Sequence, residues 1–147
     1  MRYEFSLVTD IEAFFLESDQ LLQDHKDEVD LFSLDLDPDL DSYRQSFKDG
    51  TFFLLQMRSE SKLVGYAGFF IYTSLHHKTS LHAKQDILFI RKDYRGHGVK
   101  FIRYCDIVLK QIGVNVVLQC VPTSNDWSPI LDRIGYTKIE TVYTKEL

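Results

Sequence analysis

The sequence predicts a single α/β (α+β) domain built on a mixed central sheet, with an antiparallel meander in its first half and a strand–helix–strand crossover in its second. Three observations carry this expectation. The chain has 147 residues, of which 44% are hydrophobic, enough to enclose one core without staples. Residues 51–90 read as three β-rich runs separated by short turns, the pattern of an antiparallel meander. Residues 87–121 read as strand, glycine turn, amphipathic helix and apolar strand, the order of a right-handed βαβ crossover. No repeat, linker or low-complexity stretch interrupts residues 1–147, so one domain is expected.

The elements follow in chain order. Residues 3–8 alternate as a short strand. Thr9 and Asp10 are helix-capping types, and Ile11, Phe14, Phe15, Leu21 and Leu22 recur at helical spacing. Residues 25–37 are acidic and irregular and read as a loop. Pro38 and Asp39 can open a second helix through Leu40, Tyr43 and Phe47, ending at Gly50. Residues 51–57, 63–72 and 81–90 are the three strands, and Gly65 and Gly68 inside the second suggest a bulge or a close backbone approach. A turn at residues 93–98 leads into a helix over 99–112, with Ile102, Cys105, Leu109 and Ile112 on one face and Gly113 as its stop. Residues 114–121 are apolar on both faces, as a buried parallel strand should be. A short helix over 126–134 and a closing β segment to Leu147 complete the chain.

Composition removes several function classes. A formal net charge of -5 argues against a nucleic-acid binder, which needs basic surface to displace counterions. The acidic residues between Glu17 and Asp41 read first as a solvated face, and secondly as a rim attracting a cationic acceptor. The two cysteines, Cys105 and Cys120, are too few for a disulfide framework and sit in apolar contexts. No signal peptide opens the chain and no run approaches a membrane span, so a cytoplasmic protein without a membrane partner is expected. His76, His77 and His82 cluster in sequence, but their hairpin spacing does not make a zinc site, and no metal is expected.

The chemistry concentrates where the strand ending Asp86-Ile87-Leu88-Phe89-Ile90 runs into Arg91-Lys92-Asp93-Tyr94-Arg95-Gly96-His97-Gly98-Val99-Lys100. A helix start leaves backbone N–H groups unpaired, and with the helix dipole these suit a phosphate or pyrophosphate. Gly96 and Gly98 let such a ligand approach the backbone, and Arg95 and Lys100 add charge. The competing reading is an ordinary turn that needs glycine for its geometry.

The segment resembles the cofactor-binding motif of the GNAT (GCN5-related N-acetyltransferase) superfamily, R/Q-x-x-G-x-G/A, placed after a strand and opening a helix. Arg95 matches the first position and Gly98 the glycine; Lys100 stands where Gly or Ala is usual and offers a side chain for direct phosphate contact. The order of elements over the whole chain is similar to the family's, and Gly135-Tyr136 sits at its common Gly-aromatic pair after the last helix. Residues 81–136 together with the Tyr-x-Lys-x-Leu ending resemble small members encoded by phages and prophages, which would place the protein in a host cytoplasm.

The resemblance implies a GNAT fold and transfer of an acetyl group from acetyl-CoA to a primary amine. It places the cofactor on Phe89, Ile90, Arg95, Gly96, His97, Gly98, Val99 and Lys100, with the pantetheine arm between the splayed strands of residues 87–90 and 114–121. A backbone N–H of the first strand would polarise the thioester carbonyl. Asp86 falls where many relatives carry an acidic base. By period two it shares a face with His82, Leu88 and Ile90, and His82, about 13 Å away along the strand, could act only through water. The family's tyrosine acid in the last helix aligns with Leu131, so Tyr136 and Tyr143 are the substitutes considered. A thiol with a pKa of about 8.5 can also leave as thiolate without a strong acid. Trp127 and Pro129 either shape the acceptor pocket or pack the last helix. The departures at Leu131 and Lys100 support the alternative, an acyl-CoA-binding or regulatory protein of this fold with weak or no catalysis. A homodimer is compatible with either, and the acceptor is not named by the sequence.

Overall fold

The three β-rich runs pair as a meander, and a fourth and fifth strand extend it on either side. A computed structural model describes residues 2–29 and 35–147. Its strands β1 (Tyr3–Leu7), β2 (Phe52–Ser59), β3 (Lys62–Ser74), β4 (His77–Ile90) and β5 (Val116–Leu118) form one five-stranded sheet in the order β1-β2-β3-β4-β5. The first four are antiparallel neighbours, and β4 pairs with β5 in parallel. The crossover between β4 and β5 is made by α3 (Gly98–Ile112), which a 3-10 turn at Lys92–His97 introduces.

Each face of the sheet carries its own core. On one face α3 packs Phe101, Cys105 and Leu109 against Leu55, Met57, Ala67, Phe69, Ala83 and Ile90. On the other, α1 (Ile11–Val29) and α2 (Leu40–Lys48) cover the sheet. There Phe14 and Leu21 pack with Phe52, Leu54, Leu63, Tyr66 and Phe89, and Tyr43 joins them from α2. Both faces of β2 and β3 are therefore buried, which explains their near-continuous apolar sequence. The short helix α4 (Ser128–Arg133) follows β5.

The glycine expectation in β3 is met by close approach and by a bulge. A side chain at Gly68 would meet the Phe52 ring at 2.7 Å and Ile87 at 2.9 Å. At the same place the register slips: Gly68 faces Ile87, whereas Phe69 faces Gln85, and Asp86 is the extra residue on β4. Past the bulge the alternation of β4 is reversed. Ile87 and Phe89 pack on the α1/α2 face, and Leu88 and Ile90 on the α3 face. The period-two expectation that Asp86 shares a face with Leu88 and Ile90 is therefore corrected, because a bulge breaks the period.

Three other expectations change. The loop expected over residues 25–37 is helical as far as Val29, residues 35–39 are irregular, and 30–34 lie outside the described residues. Its acidic residues support the helix: Gln20 donates to Asp24 and Gln23 to Asp27, one turn apart. The parallel strand expected over 114–121 is paired only at Val116–Leu118, and Val116 stays exposed on this edge strand. The closing β segment is not a strand: residues 136–147 form neither helix nor sheet, with Ile139 71% and Tyr143 91% exposed. Its β-forming composition supplies side chains, but a strand requires a partner edge for its backbone.

Candidate active site

The parallel pairing of β4 with β5 covers only His82 to Lys84, and beyond it the two chains separate. Gln85 fills the fork, its Oε1 accepting a 2.9 Å hydrogen bond from the backbone N–H of Cys120 in place of a lost ladder bond. The gap widens into a cleft of about 540 Å³. Asp86, Leu88, Phe89 and Ile90 form one wall, and Cys120, Val121, Pro122, Asn125, Trp127 and Ile130 the other. Gly98 and Arg95 lie at its helix end, and His25 and Val29 of α1 reach over it. Among the described residues the β4 edge lining this gap has no strand partner there, which leaves backbone groups before Ile90 without a ladder bond on that side.

At the helix end, α3 begins without a side-chain cap. The Gly98 N–H bonds to Arg95 O, and the N–H groups of Val99 and Lys100 fall in the first turn, where an α-helix supplies no intrahelical acceptor. The glycines here are not needed for local geometry. Gly98 has helical φ -58 and ψ -42, and Gly96 is not among the glycines with positive φ. A side chain at Gly96 would meet nothing within 4 Å, and one at Gly98 only Ile90 Cδ1 at an ordinary 3.6 Å. The reading of an ordinary turn that requires glycine is thereby removed. The room left at both positions lies at the start of α3, where a phosphate could approach the backbone.

Arg95 lines the cleft but is engaged: Nε donates to Ile90 O at 2.9 Å, Nη2 lies 2.5 Å from Glu28 Oε2, and the guanidinium stands 5.7 Å from the centre of the Phe89 ring. Arg91 pairs with Asp24 at 3.5 Å. Part of the acidic N-terminal segment thus neutralises arginines beside the cleft, where the sequence suggested a uniformly solvated face. His97 turns away and stacks on Tyr3 of β1, with centroids 3.6 Å apart. Lys100 is exposed at the helix start.

The candidate catalytic residues separate in space. Asp86 lies in the cleft wall, and the Tyr43 hydroxyl of α2 donates to its Oδ2. Burial pushes the Asp86 carboxyl up from its ordinary value, and the Tyr43 hydrogen bond opposes this. His82 packs against Tyr72 at 5.6 Å and does not line the cleft. Tyr136 is also outside it: its hydroxyl donates to Asp106 of α3, and burial with that carboxylate raises its pKa. It therefore serves as a tie between α3 and the C-terminal segment and not as a cleft acid. Leu131 is buried in packing, and the neighbouring Ile130 faces the cleft instead. Trp127 also lines the cleft, whereas Pro129 does not.

Sequence reasoning missed Tyr43, His25 and Glu28. Tyr43 had been counted only as part of an apolar helix face, and the other two fell in the stretch read as loop. His25 stacks on Phe89 at 4.8 Å and shares a 2.7 Å hydrogen bond with the Tyr66 hydroxyl through Nδ1. Burial holds its pKa below the usual imidazole value. Among the described residues no three His, Cys, Asp or Glu side chains are placed to hold a metal ion, and no helix is long and apolar enough to cross a membrane.

No protein-family model matches this sequence, and no curated protein matches it. Solved structures do match over nearly the whole chain. Glucosamine-6-phosphate N-acetyltransferase from Arabidopsis thaliana superposes with a TM-score of 0.74 at 12% identity, covering 99% of both chains. Ribosomal-protein-alanine N-acetyltransferase from Brucella melitensis biovar Abortus 2308 gives 0.72 at 16% identity, also over 99% of both chains. A predicted acetyltransferase from Clostridium acetobutylicum, solved with acetyl-CoA, gives 0.69 at 10% identity over 99% of this chain and 96% of its own. Identities this low speak to architecture alone. The chain has the mixed sheet and helix arrangement of the GNAT acetyltransferases, and its cleft lies at the fork between the paired parallel strands of that fold.

Proposed function

We propose that the protein is an N-acetyltransferase that moves an acetyl group from acetyl-CoA directly to a primary amine in the β4–β5 cleft. The single observation that carries this reading is the glycine turn. Gly96 and Gly98 have neither a positive φ nor a crowded neighbour to explain them, and they stand at the uncapped start of α3, where first-turn N–H groups lack intrahelical acceptors. Acetyl-CoA would bring a pyrophosphate to this cradle and a thioester to the β4 edge, where the C–S electron pair leaves with sulfur as the new C–N bond forms. Arg95 and the exposed Lys100 would supply charge to the phosphates, and the β4 edge between Asp86 and Ile90 would offer a backbone donor to the carbonyl. Asp86 accepts the proton that the attacking amine must lose, directly or through one water. Burial raises its pKa above the ordinary carboxylate value, which makes it a better proton acceptor than an ordinary carboxylate. Among the described residues no tyrosine lines the cleft, so in this reading the thiolate departs to solvent.

The test is calorimetric titration with acetyl-CoA followed by thiol-release assays over amines, amino acids and peptides. Binding together with release is expected, and Asp86→Asn should lower kcat roughly 10²–10⁴-fold with cofactor affinity kept. Binding without release from any acceptor would leave a protein that binds acyl-CoA without turning it over.

A further inference from the structure

We propose that Tyr43 of α2 is the positioning residue for Asp86, holding one carboxylate oxygen so that the other is presented to the acceptor amine. The inference rests on Asp86 being the base. It starts from the bulge in β4. Because Phe69 pairs with Gln85 and Gly68 with Ile87, Asp86 has no register partner on β3 and is not held by the ladder as its neighbours are. A carboxylate on a bulge needs another constraint if its oxygens are to be placed to a fraction of an ångström.

Tyr43 supplies that constraint from a second element. Its ring packs on Phe52 at 5.0 Å and on Phe70 at 6.0 Å, and its hydroxyl donates to Asp86 Oδ2. The helix that carries it is tied at its start and at its middle. Asp39 caps α2 by accepting from the Ser42 N–H at 3.0 Å, and Arg44, the next residue, bridges Asp41 and Glu12 of α1. Burial and the neighbouring carboxylate push the Tyr43 phenol upward, so it stays protonated and remains a donor at any working pH. Donation to Oδ2 stabilises the ionised carboxylate, fixes its plane and leaves Oδ1 as the acceptor for the amine's proton. The other titratable groups that line the cleft with Asp86 are His25 from α1, Arg95 from the glycine turn and Cys120 after β5. The Tyr43 hydroxyl is the hydrogen-bond donor to the carboxylate among the described residues.

The experiment is a carbon-13 NMR titration of the Asp86 carboxyl in the full chain, run beside pH profiles of kcat/KM. Tyr43→Phe removes the donor and keeps the ring. The Asp86 pKa should rise by roughly one unit, and the acidic limb of the profile should move up with it, costing about tenfold in rate below the limb and little above it. Replacing Tyr43 by difluorotyrosine keeps the shape and strengthens the donor, so both values should move down; this second variant decides the matter if Tyr43→Phe fails to fold. An active wild type whose Asp86 titration is unmoved by either change overturns the proposal. So does a Tyr43→Phe enzyme that loses rate equally at every pH, since that is the signature of a merely structural contact. A wild type that transfers to no acceptor overturns the reading beneath it instead, and the two failures are distinct.

Discussion

Glu28 of α1 and Arg95 of the glycine turn form an ion pair, with Oε2 2.5 Å from Nη2. The arginine that the motif assigns to the phosphates is thus already held by a carboxylate, and a ligand phosphate must compete for it. Glu28→Gln should free the guanidinium and tighten acetyl-CoA binding about two- to fivefold, the scale of a partly exposed ion pair. Calorimetry at low and high salt checks this, since the gain should shrink as salt screens the pair. Weaker binding in the variant would mean that Glu28 instead holds Arg95 in its binding orientation.

Gly98 offers a cleaner separation of fold from ligand. It has helical dihedrals, and its nearest neighbour for a side chain is Ile90 Cδ1 at 3.6 Å. Gly98→Ala should therefore leave the free protein as stable or raise it by about 0.5–1 kcal/mol, by the loss of unfolded-state freedom. Gly98→Val should fold and abolish acetyl-CoA binding by occupying the cradle. Thermal melts with and without cofactor measure both: unchanged affinity in a folded Gly98→Val protein would remove the phosphate site from this turn.

Restoring a tyrosine acid at Leu131 should fail for a packing reason. Counting back from Gly135-Tyr136 on the GNAT resemblance points to that position, but Leu131 is buried and its neighbour Ile130 lines the cleft. Leu131→Tyr should cost about 1–3 kcal/mol in denaturant unfolding through overpacking, without a gain in rate. Ile130→Tyr places the phenol in the cleft and is the variant that can test whether an acid assists thiolate departure. Tyr143→Phe should change neither stability nor rate, because Tyr143 is 91% exposed in the unpaired C-terminal segment.

The sequence alone determined the parts that depend on local pattern. The β-rich runs, the turn at Glu60 and Ser61, the amphipathic helix after the glycine turn and its stop at Gly113 all follow from periodicity and backbone preference, and the structure places them there. The strand-to-helix turn was legible too, because its glycines and the helix start adjoin one another in the chain. Tertiary structure decided what depends on partners distant in the chain. The bulge that turns Asp86 toward α2 is set by pairing with Gly68 and Phe69, and period two cannot anticipate it. The bond from Tyr43 spans 43 positions, and the ion pair of Glu28 with Arg95 spans 67. A helix pattern reports which residues share a face, but the fold alone decides what that face meets. The same reason left the C-terminal segment misread: its composition favours a strand, and only pairing with another edge would make it one.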